Sequence, residues 1–264
     1  MTSSSWLALE TSTDTLSIAV GRDHQSWCYT GAGAAQSSAS MIPQSLALLQ
    51  QAGLQVADLQ AVVFGRGPGA FTGLRTSCAV AQGLAFGAGI QVLPIDTLLA
   101  VAEEARFVQA ESKQAQADAQ TPTQRVLAVM DARMEQVYVA AYEFTPQAAN
   151  TAEPNALQGT WQCVQAPILQ SPEQLTWPQA WQGQSFVMAG NAHAVYGTRW
   201  PTELNAEQIA ALPTASALLR LAPQAWAHGD AVPPEEALPL YVRDKVAQTT
   251  AERMQAKAAA PASA

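Results

Sequence analysis

A chain of 264 residues with 48% hydrophobic and 13% charged side chains carries enough apolar surface for one large domain or two small ones. Its formal net charge of −8 repels a polyanion, which disfavours autonomous nucleic-acid binding through counterion release. Cys28, Cys78 and Cys163 lie far apart with no CxxC pair, which argues against a zinc ribbon, a dithiol redox motif and a disulfide framework. The opening MTSSSWLALETSTD lacks the basic-then-apolar pattern of a signal peptide or membrane span, so a cytoplasmic protein without a membrane segment is expected.

WLALE (6–10), LSIAVG (16–21) and SWCYT (26–30) read as a meander of three short strands, with TSTD (11–14) turning between the first two. A small-residue loop (31–39) leads into MIPQSLALLQQAG, a helix that tolerates Pro43 in its first turn and stops at Gly53. AVVFG (61–65) is a continuous apolar run suited to a strand covered on both faces. GRGPGAFTGLR (65–75) follows it, then a helical pattern from Leu74 to Gly89, a strand at QVLPI (91–95) and a helix at DTLLAVAEEA. Strand, helix, strand, helix implies right-handed crossovers and a parallel portion of sheet. Residues 1–106 therefore read as a mixed α/β lobe with a five-stranded sheet flanked by helices.

Residues 107–124 are polar, rich in Ala and Gln and without an apolar stripe, and are expected to form a mobile loop. RVLAVMDAR (125–133) and EQVYVAAYEF (135–144) restart the strand, turn, strand pattern in a second lobe, 125–246. Within it only a strand at SFVMAG (185–190) and a helix at 215–229 stand out from Trp-, Pro- and Gln-rich sequence. The Ala-rich stretch 247–264 is expected to be a disordered tail.

The glycine loop resembles a phosphate cradle but lacks the Gly-Lys-Ser/Thr of a Walker A motif, and its spacing departs from the dinucleotide fingerprint GxGxxG. Before residue 106 the basic residues are Arg22, Arg66 and Arg75. Two of these three flank the loop, at a helix N-terminus whose amides favour anions. Glu10, Arg66, Gly67, Gly69 and Arg75 thus form a candidate anion or nucleotide contact. The competing readings are a tight turn that needs glycine, and an arginine paired with Glu10 or Asp96.

No Asp, Glu, Lys or Arg occurs from Gln25 to Ala57, nor from Thr76 to Gln91. A helix uncharged all round is buried all round or faces a partner. On the second helix Gly73, Ser77, Ala81 and Ala85 recur every fourth residue, a smooth face for another helix, with Phe71, Leu74 and Cys78 beside it.

LALETSTDTLSIAV (7–20), VVFGRGPGAFTGLRTSCAVAQGLA (62–85), VMDARMEQVYVAAY (129–142) and PLYVR (239–243) together resemble the TsaB (YeaZ) family. That resemblance implies an actin-like (ASKHA, ribonuclease H-like) fold of two related lobes. It implies a non-catalytic dimerisation subunit for tRNA N6-threonylcarbamoyladenosine synthesis, partnered with the transferase TsaD and the ATPase TsaE, with tRNA handled only through the complex. The docking surface it implies comprises Met41, Ile42, Ser45, Leu46 and Leu49 on the first helix, and Phe71, Leu74, Arg75, Ser77, Cys78, Ala81 and Ala85 on the second. Alone, the chain is expected to self-pair through the same helices.

The residues fit a non-catalytic subunit. The matching helix offers Thr97 and Val101 where TsaD carries a His-x3-His metal pair, and His24, His193 and His228 are scattered singly, so no metal is expected. The two hairpins that would hold magnesium and phosphate, LETSTDT and VMDARMEQ, keep Glu10, Asp14 and Asp131 but contain no glycine. No cofactor is required of this chain, and ATP or ADP is placed at the subunit interface. Ser37 stands where the family often has His, Gln82 where it often has Lys, and Glu10 for the commoner Asp. The alternatives are a stand-alone ASKHA ATPase or kinase using Glu10, Asp14, Asp131 and Arg75, and a peptidase, for which Ser12, Ser77 and the lone histidines form no recognisable arrangement.

Overall fold

The computed structural model describes residues 4–33, 37–113, 123–147 and 159–243. Lobe I opens with the expected meander, β1 (Ser5–Glu10), β2 (Thr15–Arg22) and β3 (Gln25–Ala32), followed by helix α1 (Ser37–Gln51). β4 (Ala61–Gly67), helix α2 (Phe71–Ala88), β5 (Gln91–Asp96) and helix α3 (Thr97–Lys113) complete it. Lobe II contains β6 (Gln124–Asp131), β7 (Val137–Pro146), β8 (Gly159–Gln170), β9 (Val187–Gly190), a short helix α4 (Ala192–Tyr196), β10 (Glu207–Ala210) and helix α5 (Ala215–His228).

The sheet of lobe I runs β3-β2-β1-β4-β5 and that of lobe II β8-β7-β6-β9-β10, with antiparallel and parallel pairings at corresponding places. The suspected duplication is therefore a property of the fold. Its cause lies in the paired strands at each lobe's start. Leu7 to Leu9 and Val126 to Met130 are apolar on both faces, because each sheet is covered on both sides.

Five layers result. α1 and α2 cover the outer face of the first sheet with a core of Leu7, Leu9, Met41, Leu49, Phe64 and Ala81. α3 and α5 lie between the two sheets in one shared core that includes Trp6, Leu93, Leu98, Ala128, Tyr142 and Leu218. Tryptophan-bearing turns and α4 cover the outer face of the second sheet around Trp181, Phe186 and Met188. The middle layer crosses the lobes: α5 packs on β1, β2, β4 and β5, while α3 also reaches β6, β7 and β9.

A buried ionic hub joins these layers. Glu103 on α3, with no exposed surface, accepts from Arg106 at 2.7 and 2.8 Å, from Arg220 of α5 at 2.7 Å and from the Trp161 indole at 3.0 Å. Arg220 also reaches Glu104 at 2.7 Å, and Glu104 accepts from the N-cap Thr214 of α5 at 2.8 Å. A buried carboxylate is tolerable only when its oxygens are satisfied by such donors.

Several elements differ from expectation, α4 and β10 among them, which the sequence reading did not anticipate. α1 begins at Ser37, so Pro43 lies inside the helix rather than in its first turn; its ring is exposed, which relieves its clash with the preceding turn toward solvent. α3 extends through 107–113 into the stretch expected to be a loop; the rest of that loop, 114–122, and the tail 247–264 lie outside the described residues. β8 went unread because its run GTWQCVQAPILQ has little apolar alternation, its outer residues being half-buried or exposed.

Candidate functional site

The two hairpins face each other across a cleft of about 200 Å³ lined by Ser12, Asp14, Gly69, Asp131, Arg133 and Asn191, among others. Arg133 spans it, reaching Asp14 of lobe I at 3.1 Å and Asp131 of its own hairpin at 3.4 Å. Asp131 also accepts from the Arg133 amide at 2.8 Å and the Tyr196 hydroxyl at 2.9 Å. Burial, then the bond to Asp131, pushes the Tyr196 phenol up, which keeps it a donor.

This hairpin turns through three consecutive left-handed residues, Arg133, Met134 and Glu135, at φ of 61°, 54° and 57°. Such backbone costs on the order of 1–3 kcal/mol per residue and persists only when held from outside. Arg243 does the holding, donating to the Ala132 carbonyl at 2.9 Å and the Arg133 carbonyl at 3.3 Å. PLYVR was visible as a motif, yet nothing in its residue types marks Arg243 as a clamp on a turn 110 residues earlier.

The glycine loop is filled by protein. An added Cβ at Gly73 would sit 1.8 Å from the Thr11 carbonyl oxygen, and one at Gly69 would sit 2.5 Å from the Ser12 side chain. Gly67, at φ +114°, lies under the Leu240 carbonyl, while the Leu240 amide donates to Arg66 at 2.6 Å. The glycines thus let the first hairpin and the 237–243 segment approach the loop. That segment forms a strap: Ala237 accepts from Gln82 at 3.0 Å, Tyr241 packs on Phe71 at 5.1 Å between ring centroids, and Arg243 ties down lobe II.

The candidate anion contacts are not brought together. Arg66 pairs with Asp96 at 2.6 Å, the paired alternative weighed above. Arg75 donates to the Tyr241 hydroxyl at 3.0 Å, with its guanidinium 3.7 Å over the Phe71 ring. Glu10 is buried, with one oxygen accepting from the Ser12 amide at 2.6 Å and the other lacking a partner among the described residues. Burial pushes this carboxyl above its ordinary value, against hydrogen bonds from Ser12. Thr97 is buried and accepts from the Gly67 amide at 3.1 Å. The cleft is small, bridged by Arg133 and floored by glycines packed against protein.

The helix surface needs a correction. Met41 and Ser45 on α1, and Leu74, Ser77, Cys78, Ala81 and Ala85 on α2, are buried within lobe I rather than presented on its surface, and Leu49 reaches only the floor of a groove between the helices. The small residues at every fourth position let α2 lie close on its own sheet. The free face is one step around each helix: Ile42 and Leu46 are 43% and 48% exposed, Phe71 and Arg75 sit at the α2 N-terminus, and Phe86 is 76% exposed. Between the helices runs a groove of about 590 Å³ with Leu46, Leu54, Val56, Gly83, Leu84 and Gly87 in its walls, Leu49 contributing to its floor. Its lining carries no charge.

A family model described as "TsaD: tRNA N6-adenosine threonylcarbamoyltransferase" matches residues 33–257, and the duplicated two-lobed fold is of that TsaD-like, actin-like class. The tRNA threonylcarbamoyladenosine biosynthesis protein TsaB of Haemophilus influenzae is 30% identical, over 91% of this chain and 94% of its own. That of Escherichia coli is 29% identical, over 91% and 95%. The solved structure of YeaZ from Pseudomonas aeruginosa superposes with a TM-score of 0.73 at 32% identity, covering 90% of this chain and 99% of that one. The chain belongs to the TsaB (YeaZ) family. Among the described residues, no helix is long and apolar enough to cross a membrane.

Proposed function

We propose that this protein takes part in tRNA threonylcarbamoyladenosine biosynthesis as a cytoplasmic, non-catalytic subunit that docks onto TsaD and is joined there by TsaE. The observation that carries this reading is the uncharged α1/α2 groove with Phe86 standing 76% exposed beside it, a surface suited to the apolar face of another helix pair. The names of the relatives supply the pathway, and the interlobe cleft supports the absence of chemistry of its own: its carboxylates are engaged by Arg133 and its glycines by protein. Any adenine nucleotide is held between subunits or by TsaE, and tRNA, repelled by a chain of net charge −8, is met only through the complex.

Light-scattering chromatography of the chain mixed with TsaD from its own organism, followed by a threonylcarbamoyl-transfer assay, tests the proposal. A heteromeric peak and transfer only in the mixture are expected. Phe86→Glu is expected to weaken the complex roughly 100-fold by burying an unpaired charge, with melting temperature unchanged. Leu74→Glu and Ala81→Arg serve as controls for unfolding, since both sites are core. No complex, together with ATPase activity of the chain alone, would overturn the reading.

A further inference from the structure

The strap 237–243 grips both lobes. In lobe I the Ala237 carbonyl accepts from Gln82 at 3.0 Å, the Leu240 amide donates to the Arg66 carbonyl at 2.6 Å, and the Tyr241 hydroxyl accepts from Arg75 at 3.0 Å. In lobe II the Arg243 guanidinium donates to the Ala132 and Arg133 carbonyls and lies 2.8 Å from the Met134 sulfur. Those lobe II contacts converge on one turn, whose three left-handed residues carry Arg133 into the cleft.

The strap is lightly seated. Within 237–243 Ala237 alone is buried, Leu238 is 68% exposed, and the others are half-buried or exposed. A segment that buries so little apolar surface and is held by a few hydrogen bonds opens locally, well below the free energy of global unfolding. The turn favours that opening, because three consecutive left-handed residues other than glycine are strained unless something outside them holds them. The pair between Arg133 and Asp14, exposed on both sides, is too weak to hold the turn and follows it instead.

We propose that the strap is a two-state latch between the lobes. Seated, it holds the turn left-handed and keeps Arg133 across the cleft on Asp14. Lifted, it takes Arg243 off the turn, the left-handed residues relax, and Arg133 leaves Asp14, so the two hairpins lose their side-chain bridge. Its lobe I end lies at the corner formed by Phe71, Arg75 and Tyr241, where the Phe71 and Tyr241 rings are 38% and 44% exposed. Events at that corner therefore set the cleft, and by linkage events at the cleft set the corner. The latch is a property of the free chain and stands whether or not a partner docks on the helices.

Hydrogen exchange of the full chain, followed amide by amide by NMR, tests this coupling. Arg75→Ala removes an anchor on α2, in the other lobe from the turn. The Ala132 and Gln136 amides, which close the turn onto the Gln136 and Arg133 carbonyls, are expected to exchange roughly threefold faster, with Leu127 and Val129 of β6 unchanged. In the reverse direction Arg243→Met is expected to speed the Leu240 amide by a similar factor. Turn amides indifferent to Arg75→Ala, or a Leu240 amide indifferent to Arg243→Met, overturn the latch and leave the strap a static tie. Should Arg75→Ala speed β6 equally, Tyr241→Phe, which removes only the hydroxyl, decides. A rise confined to the turn upholds the latch, and no rise, or one shared by β6, overturns it.

Discussion

The two lobes share one strand order yet differ in what they place on their outer faces. Lobe I covers its sheet with two long helices whose far sides are open and, apart from Arg75, uncharged. Lobe II covers the same face with short turns and a five-residue helix, sealed by Trp177, Trp181 and Phe186. One copy of the duplicated unit leaves an apolar helix groove open and the other has closed that face. The lesson is that duplication fixes the sheets, and the connections around β4 and around β9, which hold α1 and α2 in one lobe and short turns and α4 in the other, are where the copies diverge.

The comparison is broken most severely at the layer both lobes share. Glu103→Ala is expected to destabilise the fold by about 3–5 kcal/mol, because Arg106 would remain largely buried without a carboxylate and Arg220 would keep only Glu104; chemical denaturation measures it. Next comes a contrast within α2. Gly73→Ala drives a methyl into the Thr11 carbonyl and is expected to cost roughly 3 kcal/mol. Gly83→Ala, with nothing within 4 Å of its added Cβ, is expected to gain about 0.5–1 kcal/mol in melting experiments while narrowing the groove.

Glu10→Gln gives a smaller, pH-dependent change. The folded state raises this carboxyl, so its contribution to stability is full below the unfolded value and lost as pH rises through the folded one. The melting temperature of the Gln variant relative to the parent is therefore expected to increase from pH 4 to pH 8. The smallest effect belongs to Asp14→Ala. Its pair with Arg133 is solvent-exposed on both sides, and at most ~0.5 kcal/mol is expected on thermal melting.

The sheets of lobe I were legible because Leu7 to Leu9 and Val62 to Phe64 are unbroken apolar runs, and the second lobe's hairpin showed through Val126 to Met130 for the same reason. The side of α2 that faces outward was not legible. Periodicity locates a buried face by contrast with a charged one, and from Thr76 to Gln91 there is no charge to supply the contrast. Gly73, Ser77, Ala81 and Ala85 therefore looked like a surface for a foreign helix when they are the surface for the protein's own sheet. The glycine loop was ambiguous for a different reason. Glycine reports that some backbone comes close, and whether it belongs to a phosphate-bearing ligand or to Thr11, Ser12 and Leu240 is a tertiary fact.

The strap over that loop also constrains the order in which the molecule is made. Tyr241 meets Arg75 across 166 positions, and Ala237 meets Cys78 and Gln82 across 159 and 155. A nascent chain that has emerged only as far as β5 carries every residue of the helix pair but not the segment that pins the α2 N-terminus, nor α5 beneath β1. The open helix face belongs to the first ninety or so residues, yet the segment that pins its α2 N-terminus lies beyond residue 236, so that face is fully held only after most of the chain has been synthesised.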